Sequence, residues 1–190
     1  MSCIIGIDPS IRSTGVCVWD DEWKRYKYYL LVKNPTKKVQ NFKHDLINII
    51  SFEEESQKDK SAIQKEIIKT NSVYKISNLC NKIFQCFHPK YVVIEAVAFG
   101  GNGKIDELAG LNYAIRCAAI ENRIPIYPIS PTSNKMEFVG NGGATKEMMI
   151  EAWRGIRPEV ADFEPLGKHL ADLADAYSLV HFPVDKYCEA

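Results

Sequence analysis

The stretch that most constrains the fold is Cys3-Ile4-Ile5-Gly6-Ile7, a near-continuous apolar run closed by Asp8-Pro9. It is too short for a helix of ordinary length. A short run without polar alternation, ended by a proline turn, reads as a strand covered on both faces. Such a strand lies inside a sheet, so the chain must supply strands on both sides and layers above and below. Asp8 sits at its end. A carboxylate on a central strand is costly unless a cation meets it, or unless it caps the next turn by accepting backbone N–H bonds. This stretch alone leaves both readings open.

Two further strands follow. Gly15 to Trp19 is rich in β-forming residues, and Arg25 to Lys33 alternates Tyr26, Tyr28, Leu30 and Val32 with Arg25, Lys27 and Lys33. Together with the first run they predict an antiparallel meander. Residues 34–70 turn polar and charged around one apolar patch, Leu46 to Phe52, and predict a long, partly helical connection. From Ala62 to Phe87 apolar residues recur at helical spacing, with a candidate break near Asn71-Ser72. Tyr91-Val92-Val93-Ile94-Glu95 is then a second buried-type strand ending in an acid. A strand, a crossover helix and another strand make a β-α-β unit, so this strand runs parallel to the first. Parallel neighbours lie ~4.8 Å apart, which brings Asp8 and Glu95 to one spot at the carboxyl edge of the sheet, where open α/β sheets bind ligands. Glu95 alone would read as a salt-bridged strand end.

The chain has 190 residues, enough for one domain with a substantial core, and 24 basic against 24 acidic residues. Zero net charge removes any bulk basic signature, yet a carboxylate-rich site can offset a basic rim, so nucleic acid is not excluded. The six cysteines are scattered without a C-x-x-C pair and predict reduced core residues in a cytoplasmic, reducing compartment. No leader-like or membrane-spanning run is visible, and a soluble, unexported protein with no membrane partner is expected.

Beyond Glu95 lies the glycine-rich stretch Phe99-Gly100-Gly101-Asn102-Gly103-Lys104, where Phe99 could stack on a base and Lys104 meet a phosphate; a plain surface loop is the alternative. A helix over 105–122 and a strand over 124–129 follow, the strand's two prolines placing it at a sheet edge. Ser130-Pro131 opens a short helix carrying Lys135, and Gly140 to Lys146 leads into another. Walker A spacing is absent, which removes a nucleotide P-loop. Lys135 and Lys146 are candidates for DNA phosphate contacts or are solvated surface lysines. In Lys168 to Phe182, Asp172 and Asp175 stand three apart on one helix face. Ala171, Ala176 and Leu179 flank them, so that face should be covered, and no Lys or Arg between Lys168 and Lys186 neutralises them. A divalent cation held by oxygen ligands answers that need. His169 could assist them, or it is a surface histidine at the helix start.

The ordered set Gly6-Ile7-Asp8-Pro9, Thr14-Gly15, Ile94-Glu95, Pro131-Thr132 with Lys135, Gly140 to Lys146, and Asp172-Leu173-Ala174-Asp175-Ala176 resembles the RuvC family of Holliday-junction resolvases, within the RNase H-like superfamily. The resemblance spans most of the chain, and its specificity lies in the order. It implies an α/β fold with a mixed five-stranded sheet, strands 1–3 antiparallel and 4–5 parallel, and helices on both faces. It also implies a homodimer and Mg²⁺-dependent cutting of four-way DNA junctions in recombination and repair, with Mn²⁺ as an alternative ion. The family's catalytic, metal-binding carboxylates carry over onto Asp8, Glu95, Asp172 and Asp175, and its DNA-contacting lysines onto Lys135 and Lys146. Three departures stand out: Ser10 in place of a usual glycine, Ala98-Phe99 where the family has an aromatic near the crossover, and a longer segment 34–70 than bacterial members have. Viral or phage-type membership stays open.

Phosphodiester hydrolysis needs an activated water and relief of charge on the leaving oxygen, and two Mg²⁺ ions roughly 3.5 to 4 Å apart supply both. Asp8, on the most rigidly held strand, is the expected shared ligand. Two rival readings remain: an RNase H-type enzyme acting on RNA:DNA hybrids, and an actin- or sugar-kinase-like ATP-binding fragment. The latter normally repeats its motif in a second domain, for which 190 residues leave no room.

Overall fold

The first apolar run is a central strand. The computed structural model describes residues 3–97 and 105–188, and in it β1 (Cys3–Asp8) pairs antiparallel with β2 (Ser13–Asp20) and parallel with β5 (Tyr91–Glu95). β3 (Arg25–Lys33) completes the meander, and β6 (Ile126–Ile129) closes one edge beside β5. The sheet order is β4-β3-β2-β1-β5-β6. Pro125 and Pro128 are tolerated because β6 has only one neighbour, and Pro125 contributes its carbonyl to Val92 N–H at 2.9 Å.

The sixth strand corrects the expected count of five. Ile47–Phe52, expected within a partly helical connection, is β4, parallel to β3 and at the other edge. Its Ile-Asn-Ile-Ile-Ser-Phe run is rich in β-branched and aromatic residues and too short for a stable helix. The charged tract after it is held in place: Asn34 Oδ1 accepts Glu54 N–H at 3.0 Å, and the Glu54 carboxylate accepts Lys33 Nζ at 3.0 Å and a short bond from the Ser72 hydroxyl. Burial alone would raise the Glu54 carboxyl, but these bonds hold it below the usual range.

The helices after α1 (Lys37–Gln40) cover both faces. α2 (Ala62–Phe87) starts in a capping box between Ser61 and Gln64 and runs unbroken past Asn71-Ser72. Ser72 is buried and bonded to Glu54, so the polar pair marks an anchor and not a break. α2 and α3 (Ile105–Glu121) pack Ile76, Phe84, Leu111 and Ile115 against Ile5 and Val92 on one face. On the other lie α4 (Pro131–Val139), α5 (Lys146–Ile156), a 3₁₀ segment (Pro158–Leu166) and α6 (His169–Val180). Trp153 and Phe163 meet Tyr28 edge-on there, ring centroids 5.4 and 5.7 Å away. α7 (Val184–Cys188) ends the described chain.

Cys3, Cys17 and Cys80 are buried free thiols, as expected, whereas Cys86 and Cys117 are exposed; the Cys188 side chain lies outside the described set. Among the described residues no helix is long and apolar enough to cross a membrane.

Candidate active site

Strand alternation aims the two strand acids at the same layer. Ile5 and Ile7 of β1, and Val92 and Ile94 of β5, face α2 and α3; Gly6, Asp8, Val93 and Glu95 therefore face α6. Ile7 pairs with Ile94, so the next residues, Asp8 and Glu95, stand side by side at the carboxyl ends of neighbouring strands. The turn behind Asp8 is fixed by Thr14, whose buried hydroxyl donates to Ser10 O at 2.8 Å and accepts Ser10 N–H at 3.1 Å. Ser10 is not among the residues with positive φ, so the turn accepts a side chain there without backbone strain.

What brings the helix acids to the strand acids is a pair of glycines. A methyl group on Gly6 would overlap the backbone carbonyl of Ala176, and one on Gly15 would overlap that of Asp172. Only bare backbone at these two positions lets α6 rest directly on β1 and β2. The helix pays no penalty there, since almost every residue from Leu170 to Val180 is apolar or small and buried, as the flanking alanines predict.

Each acid is half-buried, and each is tied down through its backbone or a neighbour. Asn112 Nδ2 donates to Glu95 O at 2.7 Å; Ser178 Oγ donates to Asp175 O at 2.8 Å and accepts from Asn134 Nδ2 at 2.7 Å. The last bond ties α4, which carries Lys135, to the helix that carries Asp175. His169 is buried at the helix start, not on the surface: its Nδ1 lies 2.7 Å from Ser13 Oγ. Sequence reasoning did not single out Asn112, Asn134, Ser178 or Ser13. The available signal was polar residues of small volume interrupting otherwise buried positions.

The carboxylates perturb one another. Burial, then the charges of Glu95, Asp175 and Asp172, push the Asp8 carboxyl well above its usual range, against the pull of Lys146. Burial and Asp175 push Glu95 up to about 7, and burial pushes Asp175 up to about 6, each opposed by Lys135 and Lys146. All four acids and both lysines are thus within mutual electrostatic reach. The cations missing from α6 itself arrive from α4 and α5, and they do not suffice to hold Asp8, Glu95 and Asp175 at ordinary values. Phe99 and Lys104 lie outside the described residues.

Among the described residues no three His, Cys, Asp or Glu side chains are grouped closely enough to hold a metal ion as they stand. Four like charges have no cause to close up until a cation joins them. The donor set nonetheless fits one: it is all carboxylate oxygen, the chemistry of Mg²⁺ and Mn²⁺, and buried Asp175 Oδ1 has no hydrogen-bond partner.

No family model and no curated protein matches the chain in sequence. Solved structures do match in fold. Thermus thermophilus RuvC superposes with a TM-score of 0.58 at 22% identity, covering 97% of this chain and 96% of that one. T. thermophilus RuvC in complex with a Holliday junction substrate gives 0.56 at 21%, covering 98% and 97%. Fowlpox virus Holliday junction resolvase gives 0.46 at 11%, covering 97% and 99%. The chain therefore has a RuvC-like mixed α/β fold, built on a six-stranded sheet.

Proposed function

We propose that the chain is a divalent-metal-dependent endonuclease that resolves four-way DNA junctions by paired, symmetric nicks. The observation that carries this reading is the seating of α6 on Gly6 and Gly15, which lays Asp172 and Asp175 over Asp8 and Glu95 and leaves a buried carboxylate oxygen of Asp175 unpartnered. The fold supports it, since one solved neighbour with that fold is a RuvC bound to a Holliday junction substrate.

Asp8, Glu95, Asp172 and Asp175 would hold two Mg²⁺ ions, which supply an activated water and relief of charge on the leaving oxygen. Around them, this chain's residues position the phosphodiester. Lys135 and Lys146 give point charges for the flanking phosphates, and the Asn134–Ser178 bond sets the distance of Lys135 from Asp175. Glu95 and Asp175, poised to bind protons near neutrality, must release them as cations enter, so activity should rise from acid toward alkaline pH.

Paired nicks require two copies. The outer surface of α2 carries Ile63, Ile67 and Tyr74, at least half exposed and at helical spacing, with Tyr113 and Ile120 exposed on α3, a face suited to a second copy of this chain.

The test is cleavage of a synthetic four-way junction beside linear duplex and RNA:DNA hybrid, with and without Mg²⁺. Junction cutting in symmetric pairs that needs Mg²⁺, lost in Asp8→Asn while junction binding persists, is expected, because binding rests on phosphates and shape. Hybrid cleavage exceeding junction cleavage, or cutting that survives Asp8→Asn, would refute the proposal.

A further inference from the structure

His169 is the first residue of α6, at a helix start with no side-chain cap. A histidine there ordinarily turns to solvent. Here the side chain is 10% exposed, Nδ1 is 2.7 Å from Ser13 Oγ, and the same nitrogen is 3.6 Å from Asp172 Oδ2. The second distance is too long for a hydrogen bond but keeps the ring against the carboxylate. Ser13 is itself buried and precedes Thr14, which fastens the turn behind Asp8. A continuous line of contacts thus joins Asp172, through His169 and Ser13, to the strand pair that carries Asp8.

Two polar groups lie beside Nδ1, the Ser13 hydroxyl at 2.7 Å and the Asp172 carboxylate at 3.6 Å. With Nδ1 engaged by Ser13, the ring edge stands beside the Asp172 carboxylate without bonding it. Without Ser13, Nδ1 is a buried polar atom lacking a partner, and the nearest one is the Asp172 carboxylate; a bond formed there would take up an oxygen that a cation needs. We infer that His169 and Ser13 form a clasp that fixes the direction of the Asp172 carboxylate, so that His169 is a positioning residue for cation binding and not itself a ligand. The inference rests on the nuclease reading. It gives Ser13 and His169 a use in the site that a packing histidine would not have.

The test uses the full chain and Mn²⁺ as the probe. Mn²⁺ affinity is measured by calorimetry and by the Mn²⁺-induced rise in melting temperature; junction affinity is measured in EDTA. Ser13→Ala and His169→Leu are expected to weaken Mn²⁺ binding on the order of 10-fold, the range for partners that orient metal-binding side chains. Junction affinity without metal should not change. His169→Asn, whose amide nitrogen reaches the place of Nδ1, should bind Mn²⁺ nearly as the parent does. Should His169→Leu fail to fold, Ser13→Ala, which removes one oxygen, decides alone. Parent-like Mn²⁺ affinity in Ser13→Ala, even with a lowered melting temperature, would reduce His169 to a packing residue and overturn the clasp while leaving the nuclease reading intact. A parent chain that binds no Mn²⁺ would overturn both.

Discussion

Replacing Glu95 by Gln removes one negative charge from the notch and leaves its shape, and the consequence for stability follows from the direction of the shift. Burial, Asp175 and Asp172 hold the Glu95 carboxyl at about 7, against an ordinary 4.5. The folded chain therefore keeps a proton that the unfolded chain releases. Stability from this group is fully present below the unfolded value and is lost as pH rises through the folded one. The shift corresponds to on the order of 3 kcal/mol lost by alkaline pH, shared across a coupled set of acids. In EDTA, urea unfolding at about pH 8 should find Glu95→Gln more stable than the parent by on the order of 2 to 3 kcal/mol, whereas near pH 4 the two should coincide. Divalent cation should then stabilise the parent at alkaline pH and the variant much less, because the parent loses repulsion that the variant never had. A variant equally or less stable than the parent at alkaline pH would refute the claim that the acids repel one another in one notch.

Two other perturbations act on different parts of the account. Gly15→Ala puts a methyl group into the Asp172 carbonyl, so α6 must lift; a stability loss of about 1 to 3 kcal/mol or more in urea unfolding and a collapse of junction cutting are expected, and parent-like values for both would contradict the seating. Lys146→Ala should weaken junction binding and lower the slope of log affinity against log salt by about 1, while an unchanged slope would remove Lys146 from the phosphate contacts.

The central strand, the meander and the parallel β5 were legible because buried strands are written as short apolar runs, and the acids at their ends follow from strand direction alone. Asp172 and Asp175 were legible as a covered acidic face, because alanines beside them left no solvated side to the helix. β4 was obscured by its charged surroundings: an edge strand buries few residues, and Ile47 is its one buried position. The Asn71-Ser72 pair read as a helix break because the partner that makes Ser72 useful, Glu54, lies 18 residues away. The same holds for His169, which finds Ser13 at a separation of 156 residues. A polar side chain's partner is set by topology, and local pattern carries no trace of it. Gly6 and Gly15 did carry a trace, since glycine inside a strand marks close backbone approach, but which element approaches is a tertiary fact.

The central claim is that Asp8, Glu95, Asp172 and Asp175 share one cation site. Anomalous scattering from crystals of the chain grown with Mn²⁺ tests it directly. Strong peaks are expected between the ends of β1 and β5 and the Asp172–Asp175 face of α6. An ordered crystal with Mn²⁺ bound elsewhere, and none among these four side chains, would contradict it.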